Sequence, residues 1–490
     1  MDGSRESDNS VVSKKPANKE GAAAPSAERV EKRGLAEGNA GEQSRLRTLG
    51  RESMNQALTR IRQATRQRPG EQLTALWHHV YNVDTLRDAF YGLNRKAIAG
   101  VDGETWVEYE KGLEANLRDL SERLKRGAYR APPVVRTYIP KGDGGKRPLG
   151  MPTLEDKVVQ RATVRVLNAV YEEMFLNFSY GFRPKRSPHK ALDALYMGLS
   201  RRKINWVYDA DIQGYFDAID HEWLIKFIEH RIGDQRVIRH VKKWLRAGVL
   251  EDDQYRQMDE GTPQGGSASP LLANIYLHYV LDLWVKQWRK RQGQGDVIIV
   301  RFADDFVVGF QHKQDAERFH DALQKRLERF RLKLHPRKTR LIEFGRFAAR
   351  DRGRRGEEKP ETFDFLGFTH ICSQTHDGKF VIRRQTIAKR LRGKLHQLHL
   401  EIKRREHWRI ADVGKWLGTV IRGHCQYYGV PGNYAKLREF QQAVLRLWRR
   451  AVRRRSQRSR ATWSRMFHLS ARWMPAVRIT HLSPWQRLFV

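Results

Sequence analysis

Apolar positions recur along the chain with two different periods. From Glu71 to Leu93 the set Leu73, Leu76, Trp77, Val80, Val83, Leu86 and Phe90 returns every three or four residues, which predicts one amphipathic helix. Further helices are expected from about Trp106 to Lys125 and from Leu154 to about Leu176. Upstream, Leu58, Ile61 and Ala64 repeat at helical spacing among Arg60, Arg62, Arg66 and Arg68. A basic helix is therefore expected from near Ser53 to the Pro69-Gly70 break. Strand signals of β-branched and aromatic residues appear at Val134–Ile139, Trp206–Ile212, Val297–Phe302 and Phe306–Phe310. The last two read as a hairpin with Asp304-Asp305 at its tip. Beyond Arg383 the spacing is helical, with gaps near Trp408, Pro431 and Pro475, and no repeat of fixed period is found. The order is a helical start, a mixed middle and a helical end, an α+β chain.

Composition then narrows the class. The chain has 490 residues, 40% of them hydrophobic, enough for sizeable cores. The first aromatic ring is Trp77, and residues 1–52 are polar and small, so they are expected to form a disordered extension. Lys and Arg number 93 against 56 acids, a net charge of +37. That excess points to a polyanion, nucleic acid above all. No apolar run approaches the ~18 residues of a membrane span, and the N-terminus lacks a signal-peptide core, so no membrane partner is expected. Cys372 and Cys425 are the only cysteines; a thiolate zinc site is excluded and a reducing, cytoplasmic setting fits.

Candidate chemistry lies in the carboxylates. Hairpin tips favour Asn-Gly or Asp-Gly, whereas Asp304-Asp305 sets two like charges side by side, a costly arrangement unless a cation is shared. Asp211 closes the earlier strand, with Asp209, Asp217 and Asp220 as rivals; Asp220 suits the N-cap of a helix starting at His221. A carboxylate at one strand end and a pair on a neighbouring hairpin can converge on two Mg²⁺ ions, as two-metal phosphoryl transfer requires.

These motifs resemble those of group II intron-encoded reverse transcriptase/maturases. Phe302-Ala-Asp-Asp305 looks like the YADD box of reverse transcriptases, with Phe302 where Tyr is commoner. In family order come Gly100–Gly103, Ile139–Pro152, Ser179–Pro184, Asp211–His221, Gly261–Asn274, the acidic box, Lys338-Thr339 and Phe363–Phe368. The resemblance implies a right-hand polymerase: fingers, a palm with an antiparallel sheet, and a helical thumb or maturase domain X. Residues 53–200 would form the N-terminal helical extension and fingers, 201–375 the palm and 376–455 the thumb. Residues 456–490 would be an Arg/Trp-rich nucleic-acid-binding tail.

The same resemblance implies that Asp211, Asp304 and Asp305 bind two Mg²⁺. Lys141 and Arg147 would clamp the triphosphate, Phe216 would exclude a 2′-hydroxyl, and Gln264 would contact the incoming nucleotide. Lys338 would protonate the leaving pyrophosphate. Arg422 and Tyr427 belong to a stretch similar to domain X. Nine arginines stand between Arg446 and Arg465, Arg449, Arg450, Arg453, Arg454 and Arg455 among them, and residues 440–490 hold no acid. Trp448, Trp463, Trp473 and Trp485 offer stacking faces, so this end is expected on RNA or DNA. The implied partners are group II intron RNA, an RNA template with a DNA primer, target DNA and dNTPs, in a prokaryotic nucleoid-associated ribonucleoprotein. The cysteine-bearing HNH endonuclease of many relatives is not expected. Alternatives are a domesticated enzyme of DNA repair or phage defence, and a non-catalytic splicing factor.

Overall fold

The structure is a computed structural model describing residues 40–140, 146–251, 254–256, 260–262, 265–455 and 461–489. The basic helix α1 (Ala40–Gln67) begins ahead of Ser53 and buries Met54, Leu58 and Ile61. The remainder of the expected extension, residues 1–39, lies outside the described residues. The single helix expected over 71–93 is broken instead. Leu73 bridges to Ile232, and α2 (Trp77–Tyr81) and α3 (Val83–Tyr91) follow. Between them the Asn82 side chain accepts from the amides of Asp84 and Thr85, capping α3 and interrupting the helical ladder. Gly112 likewise parts α4 (Trp106–Lys111), which starts on a Thr105–Glu108 capping box, from α5 (Leu113–Arg126). The antiparallel pair β1 (Val134–Pro140) and β2 (Lys146–Met151) comes next. Helix α6 (Leu154–Tyr171) stops short of Leu176, and α7 (Pro188–Arg201) completes this half.

The middle of the chain builds a palm. It runs β3 (Trp206–Asp211), α8 (His221–Glu229), α9 (Gln235–Arg246), β4 (Val249–Glu251), β5 (Gln254–Arg256) and α10 (Ser269–Leu277). A π-helical turn, His278–Asp282, leads into α11 (Leu283–Arg291), β6 (Val297–Phe302), β7 (Asp305–Phe310), α12 (Lys313–Arg329) and β8 (Arg340–Glu343). The main sheet has the order β6-β7-β3-β8 and is antiparallel throughout. Strand alternation divides its faces. Tyr208, Ala210, Phe306 and Val308 enter the large core with α6, α8, α10 and α12, while Val207 and Val307 enter a second core.

That second core is closed by a three-stranded antiparallel sheet, after α13 (Ala348–Arg354): β9 (Phe363–Phe365), β10 (Phe368–Gln374) and β11 (Phe380–Thr386). Strand β11 carries the chain past Arg383, so helix resumes only with α14 (Ala388–Arg404). Then come α15 (Ile410–Tyr428), α16 (Tyr434–Arg454), α17 (Trp463–Trp473) and α18 (Pro484–Phe489). A third core, including Leu417 and Trp448, joins α14 to α17. The final segment folds back on the palm side: Thr480 and His481 donate their amides to the Gly429 carbonyl, and Arg487 meets Asp193 of α7 at 2.6 Å. Helices around an antiparallel palm sheet, with a helical end, make the α+β right-hand polymerase-like fold expected. Among the described residues no helix is long and apolar enough to cross a membrane.

Candidate active site

Three of the candidate carboxylates lie on one face near one end of the palm sheet. Asp211 and Asp305 are directly paired across β3 and β7, and Asp209 lies two residues back on the same face. The hairpin differs from expectation in one detail. Phe302 pairs with Asp305, so the turn is Ala303-Asp304, and Ala303 takes the positive φ of 59°. Asp305 thus opens β7, while Asp304 sits on the turn. This separates the adjacent carboxylates into a strand position and a tip position.

Electrostatics show how close these groups are. Burial raises Asp305 to about 8, and the charges of Asp209, Asp304 and Asp211 add to the rise against the pull of Arg390. Asp209 is raised to about 6, first by burial, with Arg340 at 3.5 Å opposing. Lys338 donates from Nζ to Asp211 Oδ2 at 2.6 Å. The loop bearing it is fixed because the His335 amide donates to the Asp211 carbonyl and the Lys338 amide to the His335 carbonyl. Among the described residues no three His, Cys, Asp or Glu side chains converge as a closed ligand set. The donor chemistry still suits a hard cation: the donors are all carboxylate oxygens, and burial first, with the neighbouring acids second, raises the proton affinity of Asp305.

Known proteins resemble this chain in sequence. A family described as reverse transcriptase (RNA-dependent DNA polymerase) matches residues 139–370. The chain is 38% identical over 235 residues to the group II intron-encoded protein LtrA of Lactococcus lactis subsp. cremoris, covering 48% of this chain and 39% of LtrA. It is 33% identical over 295 residues to protein YkfC of Escherichia coli strain K12, covering 53% of this chain and 77% of YkfC. The chain belongs to the group II intron reverse transcriptase/maturase family. A Schizosaccharomyces pombe relative, an uncharacterized 91 kDa protein in a cob intron, is 42% identical over 168 residues, covering 34% of this chain and 21% of that protein.

Around the carboxylates of this family member, a short 3-10 turn (Tyr215–Asp217) follows β3. It leaves Phe216 half-buried at the edge of the large core. The Phe216 carbonyl accepts from the Thr262 amide, so the Gly261-Thr262 segment is laced onto that turn. Sequence reasoning did not single out Phe182, whose ring meets Phe216 edge-on at 6.3 Å. Phe182 is 51% exposed and has φ of 57°, rare for so bulky a residue. Its signal was its place in the Ser179–Pro184 stretch. Lys141 and Gln264 lie outside the described residues; Arg147 is placed on β2 opposite Ile139.

Toward the helical end, a groove of about 390 Å³ is lined by Arg390, Lys394, His424, Tyr427 and Tyr428 among others. Tyr427 also has a packing role: its hydroxyl donates to the Leu366 carbonyl and its ring stacks on Phe368. Arg422, Arg450, Arg453 and Arg454 are exposed, and Arg455 is half-buried. Arg449 donates to the Ala461 carbonyl and lies 4.3 Å from the Trp463 ring centre. The tryptophans divide. Trp448 is buried and Trp473 packs on the third core, whereas Trp463 and Trp485 remain exposed.

Proposed function

We propose that this chain is an RNA-directed DNA polymerase and maturase that binds group II intron RNA, assists its splicing and copies it into DNA by target-primed synthesis. The observation that carries the reading is the register pairing Asp211 with Asp305, with Asp304 on the adjoining turn, in a chain of this family. Asp211, Asp304 and Asp305 would hold two Mg²⁺, which supply charge neutralisation for an attacking 3′-hydroxyl and a departing pyrophosphate. Lys338, already bonded to Asp211, would carry the proton delivered to that pyrophosphate. Phe216 would close the space beside the sugar 2′-position, and Lys141, Arg147 and Gln264 would bind the nucleotide.

The exposed arginines of α16 and the groove beneath α14 and α15 give the RNA and the template–primer a basic surface. The setting would be a prokaryotic cytoplasm, as a ribonucleoprotein. The test is extension of a DNA primer on an RNA template with Mg²⁺. Asp304→Ala should lose roughly a thousandfold or more in kcat while keeping its affinity for intron RNA. Equal extension by variant and wild type would remove the assignment.

A further inference from the structure

One charge in the palm is buried without serving the proposed chemistry directly. Arg301, near the end of β6, and Asp282, in the π-helical turn, form an ion pair whose side chains are both 0% exposed. Arg301 donates from Nε and Nη2 to the two Asp282 oxygens at 2.7 and 2.5 Å. Its other donors reach the Ser179 hydroxyl at 2.7 Å, Asn274 Oδ1 at 3.0 Å and the Ala303 carbonyl at 2.8 Å. Well-packed apolar residues can replace a buried ion pair at little cost in stability, so stability alone does not require a guanidinium here. A planar fork of five donors, however, binds several acceptors in fixed directions, which an ammonium does not.

What the fork grips is the acidic turn. Ala303 occupies left-handed backbone, which is unfavourable for a non-glycine residue and persists only where neighbours hold it. Its carbonyl is bound by Arg301. On the other side stands Gly181, where an added Cβ would lie 2.2 Å from the Ala303 nitrogen. The Gly181 carbonyl accepts from Asn274, itself an Arg301 partner. The Arg301 backbone completes the clamp, donating to the Phe178 carbonyl and accepting from the Tyr180 amide, each at 2.8 Å.

We propose that Arg301, anchored by Asp282, is a positioning residue that holds the Ala303-Asp304 turn in register with Asp211 and keys it to the Gly181-Phe182 segment facing Phe216. The inference rests on the polymerase reading for its kinetic consequence, but not for its structural one. Two variants test it: Arg301→Lys, which keeps the charge, and Arg301→Met with Asp282→Leu, which keeps an apolar packed pair. In both, kcat for dNTP addition should fall about tenfold or more, with KM for dNTP and primer–template affinity within about twofold of wild type. Amide hydrogen exchange should quicken at residues 302–305 while the middles of β6 and β7 stay protected.

A folded variant with kcat within about twofold of wild type, or with unchanged exchange at the turn, overturns the proposal. Failure of both variants to fold also overturns it, by assigning the pair to stability alone. Should the wild type extend no primer, the polymerase reading fails, and the exchange experiment still decides whether Arg301 holds the turn.

Discussion

Asp305 stands among other carboxylates, and its proton affinity follows from that company. An unfolded Asp titrates near about 3.9, whereas burial and three neighbouring acids raise this one to about 8. Across that interval the folded protein keeps a proton that the unfolded chain has released. This group therefore lowers stability progressively as pH rises from about 4 to about 8, and no further above. Asp305→Asn removes the penalty. Without added metal, the melting temperature of the variant relative to wild type should climb between about pH 5 and about pH 8; a flat difference would refute the burial of this carboxyl. Millimolar Mg²⁺ should raise the wild-type melting temperature more than the variant's, because the cation stabilises the ionised group. Phe216→Ala addresses the neighbouring wall. The preference for dNTP over rNTP, measured as a ratio of kcat/KM, should drop about tenfold or more; an unchanged ratio would leave Phe216 a core ring only.

Among the elements, α16 shows how helical spacing separates two tasks. Val444, Leu445, Trp448 and Val452 enter the third core, so Arg450, Arg453 and Arg454 are turned to solvent together. Replacing these three by Ala should weaken RNA binding and reduce the salt slope of log Kd by about 0.7–0.9 for each phosphate no longer neutralised. A slope unchanged in the variant would place the RNA elsewhere. Helix α17 presents Trp463 and Phe467, stacked at 5.9 Å and both exposed, beside Arg449. The arginine density at this end was plain in the sequence, but the sorting of its tryptophans was not. Trp448 and Trp463 lie in similar basic surroundings along the chain, and only packing of α14 to α17 buries the first. The breaks at Asn82 and Gly112 were missed for a related reason. Apolar periodicity continues through each, while a side-chain cap or a glycine stops the backbone ladder.

For the molecule as a whole, the C-terminal segment ties the helical end to the rest. Asp193 of α7 receives Arg384 from β11 at 3.3 Å and Arg487 from α18 at 2.6 Å, with Arg384 nearly fully buried. Nearby, His481 stacks on His189 at 3.9 Å, and His189 bonds the Tyr427 carbonyl. Asp193→Ala would leave the buried guanidinium without its counter-charge, a loss of about 3–5 kcal/mol. A urea midpoint should record it, and an unshifted midpoint would mean that Arg384 finds another partner. This fold-back gives residues 461–489 a structural place beside any role they have on nucleic acid.

Alternation along β3 determined from sequence alone that Asp209 and Asp211 share a face, because successive side chains in a strand point to opposite sides. Charge balance likewise pointed to a polyanionic partner, and turn chemistry marked the acidic hairpin. Tertiary structure decided what those local rules do not contain: that Asp305 pairs with Asp211, that Lys338 lies on Asp211, and that Arg301 reaches Ser179, Asn274 and Asp282 to hold a turn two residues away. Such bonds join distant stretches of chain, and their energy depends on burial, which exists only once the three cores have formed.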